Sequence, residues 1–241
     1  MLGDRATARL QVWLQVGAQV ALLGLLFLLW RVVGRLALVH TQGAIGRAEW
    51  IDHAERALHL PSELAVQHAF LGHEAVLRAA DAYYAYVHAP ALAVALLWLL
   101  LRHRDRYARW CTVTVVFTAA ALVVELLPVA PPRLLPAYGF VDTARRDGLS
   151  VYGATTHGFA DQLSSMPSIH VGWALLVAAI VVAAGRSRWR WLVVLHPVVT
   201  VFVVTVTANH WWFDDLAAAA LLALVVAACP GGLRRARSAR G

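Results

Sequence analysis

The sequence predicts an all-α fold, a polytopic membrane helix bundle of about six transmembrane helices with an interfacial amphipathic helical segment between the first and second. Three observations predict it. Of 241 residues, 60% are hydrophobic and only 15% charged, more apolar surface than a water-soluble core can bury. Six apolar runs approach the roughly 20 residues that a helix rising about 1.5 Å per residue needs to cross the hydrocarbon layer. Arginine clusters alternate with those runs so that every cluster falls on one side of the membrane.

The runs are 10–33, 82–101, 110–127, 168–184, 189–206 and 211–229. Arg5 and Arg9 precede the first, which is too long for a signal-peptide core and lacks a small-x-small cleavage site, so it reads as a retained span. Pro90 lies in the second, where its missing N–H either kinks the helix or marks its true start. Arg102, Arg104, Arg106 and Arg109 fill the next connection; Arg186, Arg188 and Arg190 fill that between the fourth and fifth runs. Arg234, Arg235, Arg237 and Arg240 follow the sixth, so both termini are expected in the cytoplasm of a multi-pass cell-membrane protein. The whole chain reads as one integral membrane domain: a first span (1–35), interfacial helices (43–80), a five-span bundle (82–229) and a basic tail (230–241).

In the interfacial segment, Trp50, Ile51, Ala54 and Leu58 stand at helical spacing opposite Glu49, Asp52, Glu55 and Arg56, an amphipathic pattern. The stretch 62–80 is too polar to span. Such a segment either lies in the outer interface and gates lateral lipid access or packs as a collar around the bundle.

The net charge of +7 does not point to nucleic acid, because the arginines flank apolar runs and form no stripe interleaved with exposed aromatics. Cys111 and Cys229, the only cysteines, give neither a disulfide framework nor a cysteine zinc site. Trp211 and Trp212 fit an aromatic belt. His40, His53, His59, His68, His73 and His88 read as interfacial side chains.

Three segments break the apolar background where spans meet the outer face: 129–136 with Arg133 among prolines, 165–170 with Pro167, Ser168 and His170, and 207–215 with Asn209, His210 and Asp214. Ionisable groups beside hydrocarbon are costly, and the default inference is function. His210 and Asp214 stand four apart and share a helix face, so the carboxylate can fix the imidazole tautomer and raise the basicity of its other nitrogen. Pro167 suits a first helical turn whose exposed amides, with Ser168, attract an oxyanion. Arg133 is expected in a stiff extended loop, its guanidinium able to clamp phosphate bidentately. Asp215 is expected about 100° away from Asp214 on the helix, capping it or facing water. Together, two histidines, an aspartate, an anion-ready helix start and an arginine describe metal-free phosphoryl transfer through a phosphohistidine.

These segments resemble the signature of the type 2 phosphatidic acid phosphatase superfamily, K-x6-R-P, then P-S-G-H, then S-R-x5-H-x3-D. The counterparts are Pro132-Arg133 in inverted order, Pro167-Ser168-Ile169-His170, and His210-x3-Asp214. Leu126 and Val204 stand where the family carries its first Lys and third-motif Arg, and Ile169 replaces the motif Gly. The pattern, with Asn209 before His210, is similar to the inositolphosphotransferase branch, which includes the inositol phosphorylceramide synthases. The resemblance implies His210 as nucleophile, Asp214 as its orienting partner, His170 as the acid at the leaving oxygen, and Arg133 and Ser168 as phosphoryl ligands. Asn209, Asp142 and His157 are candidate substrate contacts, although Asp142, His157 and Asp161 lie in an outer loop where solvation is the better explanation. It implies a membrane lipid phosphate as substrate, a polyol such as inositol as possible acceptor, and no cofactor. Two readings stand beside it: a zinc hydrolase with His170, His210 and Asp214 as ligands, and a non-catalytic lipid transporter. The lipid itself is open among phosphatidate, polyprenyl diphosphate, phosphatidylinositol and a sphingolipid-like acceptor.

Overall fold

A computed structural model describes residues 43–148 and 162–229, with six isolated positions between 17 and 32. Apart from those positions, the expected first span lies outside the described residues, as do Arg5, Arg9, His40, His157, Asp161 and the tail 230–241. The described helices are α1 (Ala44–Ala57), α2 (Glu63–Phe70), α3 (Glu74–Tyr86), α4 (His88–Arg102), α5 (Arg104–Val124), α6 (Thr143–Arg146), α7 (Ile169–Ala184), α8 (Leu195–Val206) and α9 (Trp212–Ala228). A 3-10 stretch, Arg188–Val194, leads into α8.

Among the described residues two helical stretches, Arg104–Val124 and Arg188–Val206, are long and apolar enough to cross a membrane, and α3 with α4 makes a third that bends by 49°. The apolar α7 is shorter, at 16 residues. The bend falls at Val87 rather than at a proline, and Pro90 sits in the first turn of α4, where the missing N–H has no helical partner to lose. Pro197 takes the same place in α8 and coincides with the change from 3-10 to α geometry. The stretch expected to be too polar to span is thus divided. Its second half, α3, is continuous with the apolar run after it.

α7 lies against α4, α5, α8 and α9, and the first core joins Leu92 and Leu99, Trp110 and Phe117, Leu176 and Ile180, and Leu222. Gly172 lets α5 and α7 meet closely: a Cβ there would lie 2.1 Å from the tip of the Phe117 ring. Small residues at helix crossings are how membrane bundles gain dispersion contacts, since lipid offers no hydrophobic drive. Outward positions such as Val94, Leu101, Val116, Val123, Val198 and Leu224 are large, apolar and exposed, a surface that suits hydrocarbon.

Helix α1 is formed, but its inward side carries Asp52 and Glu55 together with Ile51, so the expected division into an apolar and a polar face does not hold. Asp52 and Glu55 are buried with Ala44, Ala48 and Ile51, while Trp50 is 66% and Leu58 64% exposed. The reason is polar satisfaction. Asp52 takes both Arg56 contacts, at 2.7 and 2.9 Å, and Glu55 accepts from the backbone N–H of Phe213 at 2.7 Å.

Candidate active site

The three polar segments converge, and the main chain stitches them. Ser165 N–H donates to Val129 O at 3.2 Å, Arg133 N–H to Ala208 O at 2.9 Å, and Ser168 N–H to Asp214 O at 3.1 Å. The Trp211 indole N–H donates to Ala130 O at 2.9 Å. Trp211 is fully buried against Phe140 and Val129 and so belongs to no aromatic belt; its bulk and single donor close the space between two loops. Ala208 adopts φ 53, a left-handed conformation uncommon for a residue with a Cβ and a form of local strain found where a chain must turn sharply at a site.

His210 is buried, and its Nδ1 lies 2.8 Å from the Ser165 carbonyl. A carbonyl oxygen only accepts, so Nδ1 carries the hydrogen, and in the neutral ring the lone pair resides on Nε2. Nε2 is buried and has no hydrogen-bond partner. Asp214 Oδ2 lies 3.4 Å from the same Nδ1, so the Ser165 carbonyl is the nearer contact. That carboxylate also accepts from Trp211 N–H at 2.9 Å and from the Ser165 hydroxyl. Asp214 therefore caps α9 and holds Ser165 in place, and its bond to Ser165 fixes the carbonyl that orients His210.

His170 sits in the first turn of α7 with its ring centroid 5.7 Å from that of His210. Tyr84 stacks on it at 4.1 Å. Ser168 is the N-cap of α7, its hydroxyl accepting from Val171 N–H at 3.4 Å. Asp215 is buried near Ser168, Asp214 and His210 rather than facing water. The first turn of α9 enters the bundle between α1, α2 and the start of α7, which explains the difference.

Arg133 is buried, and it sits in a 3-10 turn (Pro132–Leu134) opened by Pro132, not in an extended loop. Its Nε donates to Asn209 Oδ1 at 2.8 Å, and an Nη donates to Asp142 and to Gln162, each at 3.2 Å. Asn209 passes its own amide to Thr207 at 2.8 Å. Arg133, Asn209 and Asp142 are thus one network, whereas His157 lies outside the described residues. Gln162 went unnoticed in the sequence, being an ordinary loop glutamine without a motif.

Two further histidines join the cluster. His88 is 3% exposed, so it is no interfacial side chain; its ring stands edge-on to His170 at 4.8 Å and 6.0 Å from His196. His196 Nδ1 meets the Tyr83 hydroxyl at 2.6 Å. A lone ionisable residue in an apolar run was the available signal for both. Among the described residues no set of three His, Cys, Asp or Glu side chains is arranged to hold a metal ion, so the geometry does not fit the zinc reading.

The first turn of α9 is capped from outside the bundle. Glu63 accepts from Trp212 N–H at 3.3 Å, and the Trp212 indole donates to Pro61 O at 2.7 Å. Burial pushes the Glu55 carboxyl up to about 9, and the hydrogen bond and charge of Glu63 push in the same direction. The Glu55 carboxyl is thus held well above its usual range, with Oε1 receiving the Phe213 N–H and Oε2 buried without a hydrogen-bond partner.

A helical bundle with buried, converging histidines and an arginine is the setting in which the comparison with known proteins falls. The family model for the PAP2 superfamily matches residues 49–228, and the chain belongs to that superfamily. Membership makes it a phosphatase-type enzyme acting on phosphoesters. No curated protein and no solved structure matches the chain.

Proposed function

We propose that the chain is a metal-independent lipid phosphatase or phosphotransferase working through a phosphohistidine at the extracytoplasmic face, with both termini cytoplasmic. The observation that carries this reading is the state of His210: Nδ1 committed to a carbonyl, Nε2 buried and unpartnered, and a second imidazole 5.7 Å away between ring centroids. The Nε2 lone pair attacks phosphorus, the P–O bond to the leaving alcohol breaks, and an N–H of His170 gives its proton to that oxygen. Water or an alcohol then attacks the phosphorus, the P–N bond breaks with its electron pair returning to Nε2 of His210, and His170 takes the incoming proton. Arg133, already oriented by Asn209, Asp142 and Gln162, stabilises the phosphoryl oxygens with Ser168 and the α7 start. Asn209 and Asp142 contact the headgroup or acceptor, with His157 as a further contact.

The substrate's tail stays in the bilayer. Exposed Trp50 and Leu58 on α1 support an interfacial seat for that helix beside the site, with lipid reaching the histidines laterally. Leu126 and Val204 replace two cationic positions of the family cradle, which favours a singly charged phosphodiester and transfer to a polyol, as in the inositolphosphotransferase branch.

The test is turnover by detergent-purified protein on phosphatidate, polyprenyl diphosphate and phosphatidylinositol, with and without inositol, products being identified by mass spectrometry. Vanadate inhibition, indifference to chelator and an inositol-dependent product are expected. Undiminished turnover in His210→Ala, or its loss with chelator, would overturn the reading.

A further inference from the structure

His170 has a neighbour that no motif marks. Across the 49° bend between α3 and α4, the His88 ring meets the carbonyl of Tyr84, with Nδ1 at 3.3 Å. The carbonyl accepts, so Nδ1 carries hydrogen and the neutral ring keeps its lone pair on Nε2. That Nε2 is buried without a partner, and so is Nδ1 of His170. The two rings stand edge to face, 83° apart in plane and 4.8 Å between centroids. Tyr84 stacks on His170 at 4.1 Å and 29°, which holds the plane of that ring and leaves pivoting within the plane as its freedom.

We propose that His88 is the positioning residue for His170, its Nε2 lone pair receiving the Nδ1–H of His170 so that Nε2 of His170 faces the leaving oxygen. This rests on the phosphohistidine reading given above. Two orphaned buried nitrogens, one a lone pair and the other on a ring that must carry hydrogen there to be an acid, satisfy one another at the cost of a ring rotation. Contacts of this kind tighten when substrate fills a site. An acid imidazole needs an acceptor behind it, and the titratable groups acting on His170 are His88 and His210. Asp214, whose Oδ2 accepts from Ser165 and Trp211, is not among them. Around His88 stand Tyr83, Tyr84, His170, His196 and His210, so its other neighbours bring no formal negative charge. In the transfer step the Nε2–H bond of protonated His170 breaks as the alcohol O–H forms, while the Nδ1 hydrogen stays shared with His88.

The test compares two esters of one lipid phosphate on the full chain in detergent, one with an alkyl alcohol and one with nitrophenol as leaving group. Nitrophenolate leaves without a proton. His88→Phe is expected to lower kcat on the alkyl ester about 10²-fold and to spare the nitrophenyl ester. His88→Gln, whose amide oxygen accepts, should recover part of the loss, and His88→Phe combined with His170→Ala should be no slower than His170→Ala alone. Equal losses on both esters, or losses that multiply, would mean a structural role and overturn the proposal. A second readout needs no turnover: ¹⁵N shifts of labelled histidines should report His170 as the Nδ1–H tautomer, scrambled by His88→Phe. The Nε2–H tautomer, or no change in the variant, overturns the pairing, whereas a wild-type chain inert on both esters overturns the transfer reading instead.

Discussion

The two ends of the bundle meet the same electrostatic demand with acceptors at one and donors at the other. At the site end, the first three amides of the α9 region are each received by a carboxyl group: Trp211 by Asp214, Trp212 by Glu63 and Phe213 by Glu55. At the far end, guanidinium groups receive helix carbonyls: Arg106 donates to Ala183, Arg109 to Cys229 at 2.9 Å, and Arg190 to Gly185 at 2.7 Å. Both patterns complement the helix dipole. They differ in burial, because Asp214, Glu55 and Glu63 are buried while the Arg106 contact is exposed and the other two are only partly buried. A buried polar group has one satisfactory arrangement and an exposed one has many, so rigidity is concentrated where the histidines are.

The largest effect that would break this contrast is catalytic. His210→Ala should lower kcat by at least about 10⁴-fold with the far-ultraviolet circular dichroism unchanged; loss of helicity instead would make His210 part of the scaffold. Next comes the crossing of α5 and α7, two residues along the chain from His170. Gly172→Ala drives a methyl into Phe117 and should destabilise by about 1–3 kcal/mol, read as a lower midpoint in thermal unfolding in detergent.

The site end should also respond to pH where the far end does not. Glu55 is raised from 4.5 to about 9, so the folded chain holds a proton that the unfolded chain releases near 4.5. Stability from this group is complete below about 4.5 and is lost as pH rises towards about 9. Glu55→Gln, which keeps an acceptor for Phe213 and cannot ionise, should flatten that slope in unfolding midpoints taken across the window. A slope identical to wild type would mean that Glu55 is ionised in the fold. The smallest change is expected at the other end: Arg109→Ala should cost no more than about 1 kcal/mol and leave kcat unaltered, and a large loss of turnover there would erase the distinction between the two ends.

Much of this was legible in the sequence because cost is legible. Arg133, His170, His210 and Asp214 stand out from hydrocarbon-like runs, and alternation of spans put them at one end before any coordinate did. What stayed hidden depends on facing. The pattern of α1 identified a helix but not its inward side, since Asp52 and Glu55 would point outward only if water lay outside. Trp211 and Asp215 carry the same ambiguity, being able to serve a membrane surface or an interior. His88 was unreadable as a partner of His170 because their contact depends on a bend between α3 and α4, and nothing in the residues around Val87 announces its angle.

The Nδ1 hydrogen of His210 is fixed by the peptide oxygen of Ser165, an atom every amino acid supplies. No single replacement at position 165 deletes it, but its direction depends on the bond from the Ser165 hydroxyl to Asp214, so the aspartate acts on the ring through the serine. Loss of either the serine hydroxyl or the carboxylate would therefore loosen the same imidazole without removing its acceptor.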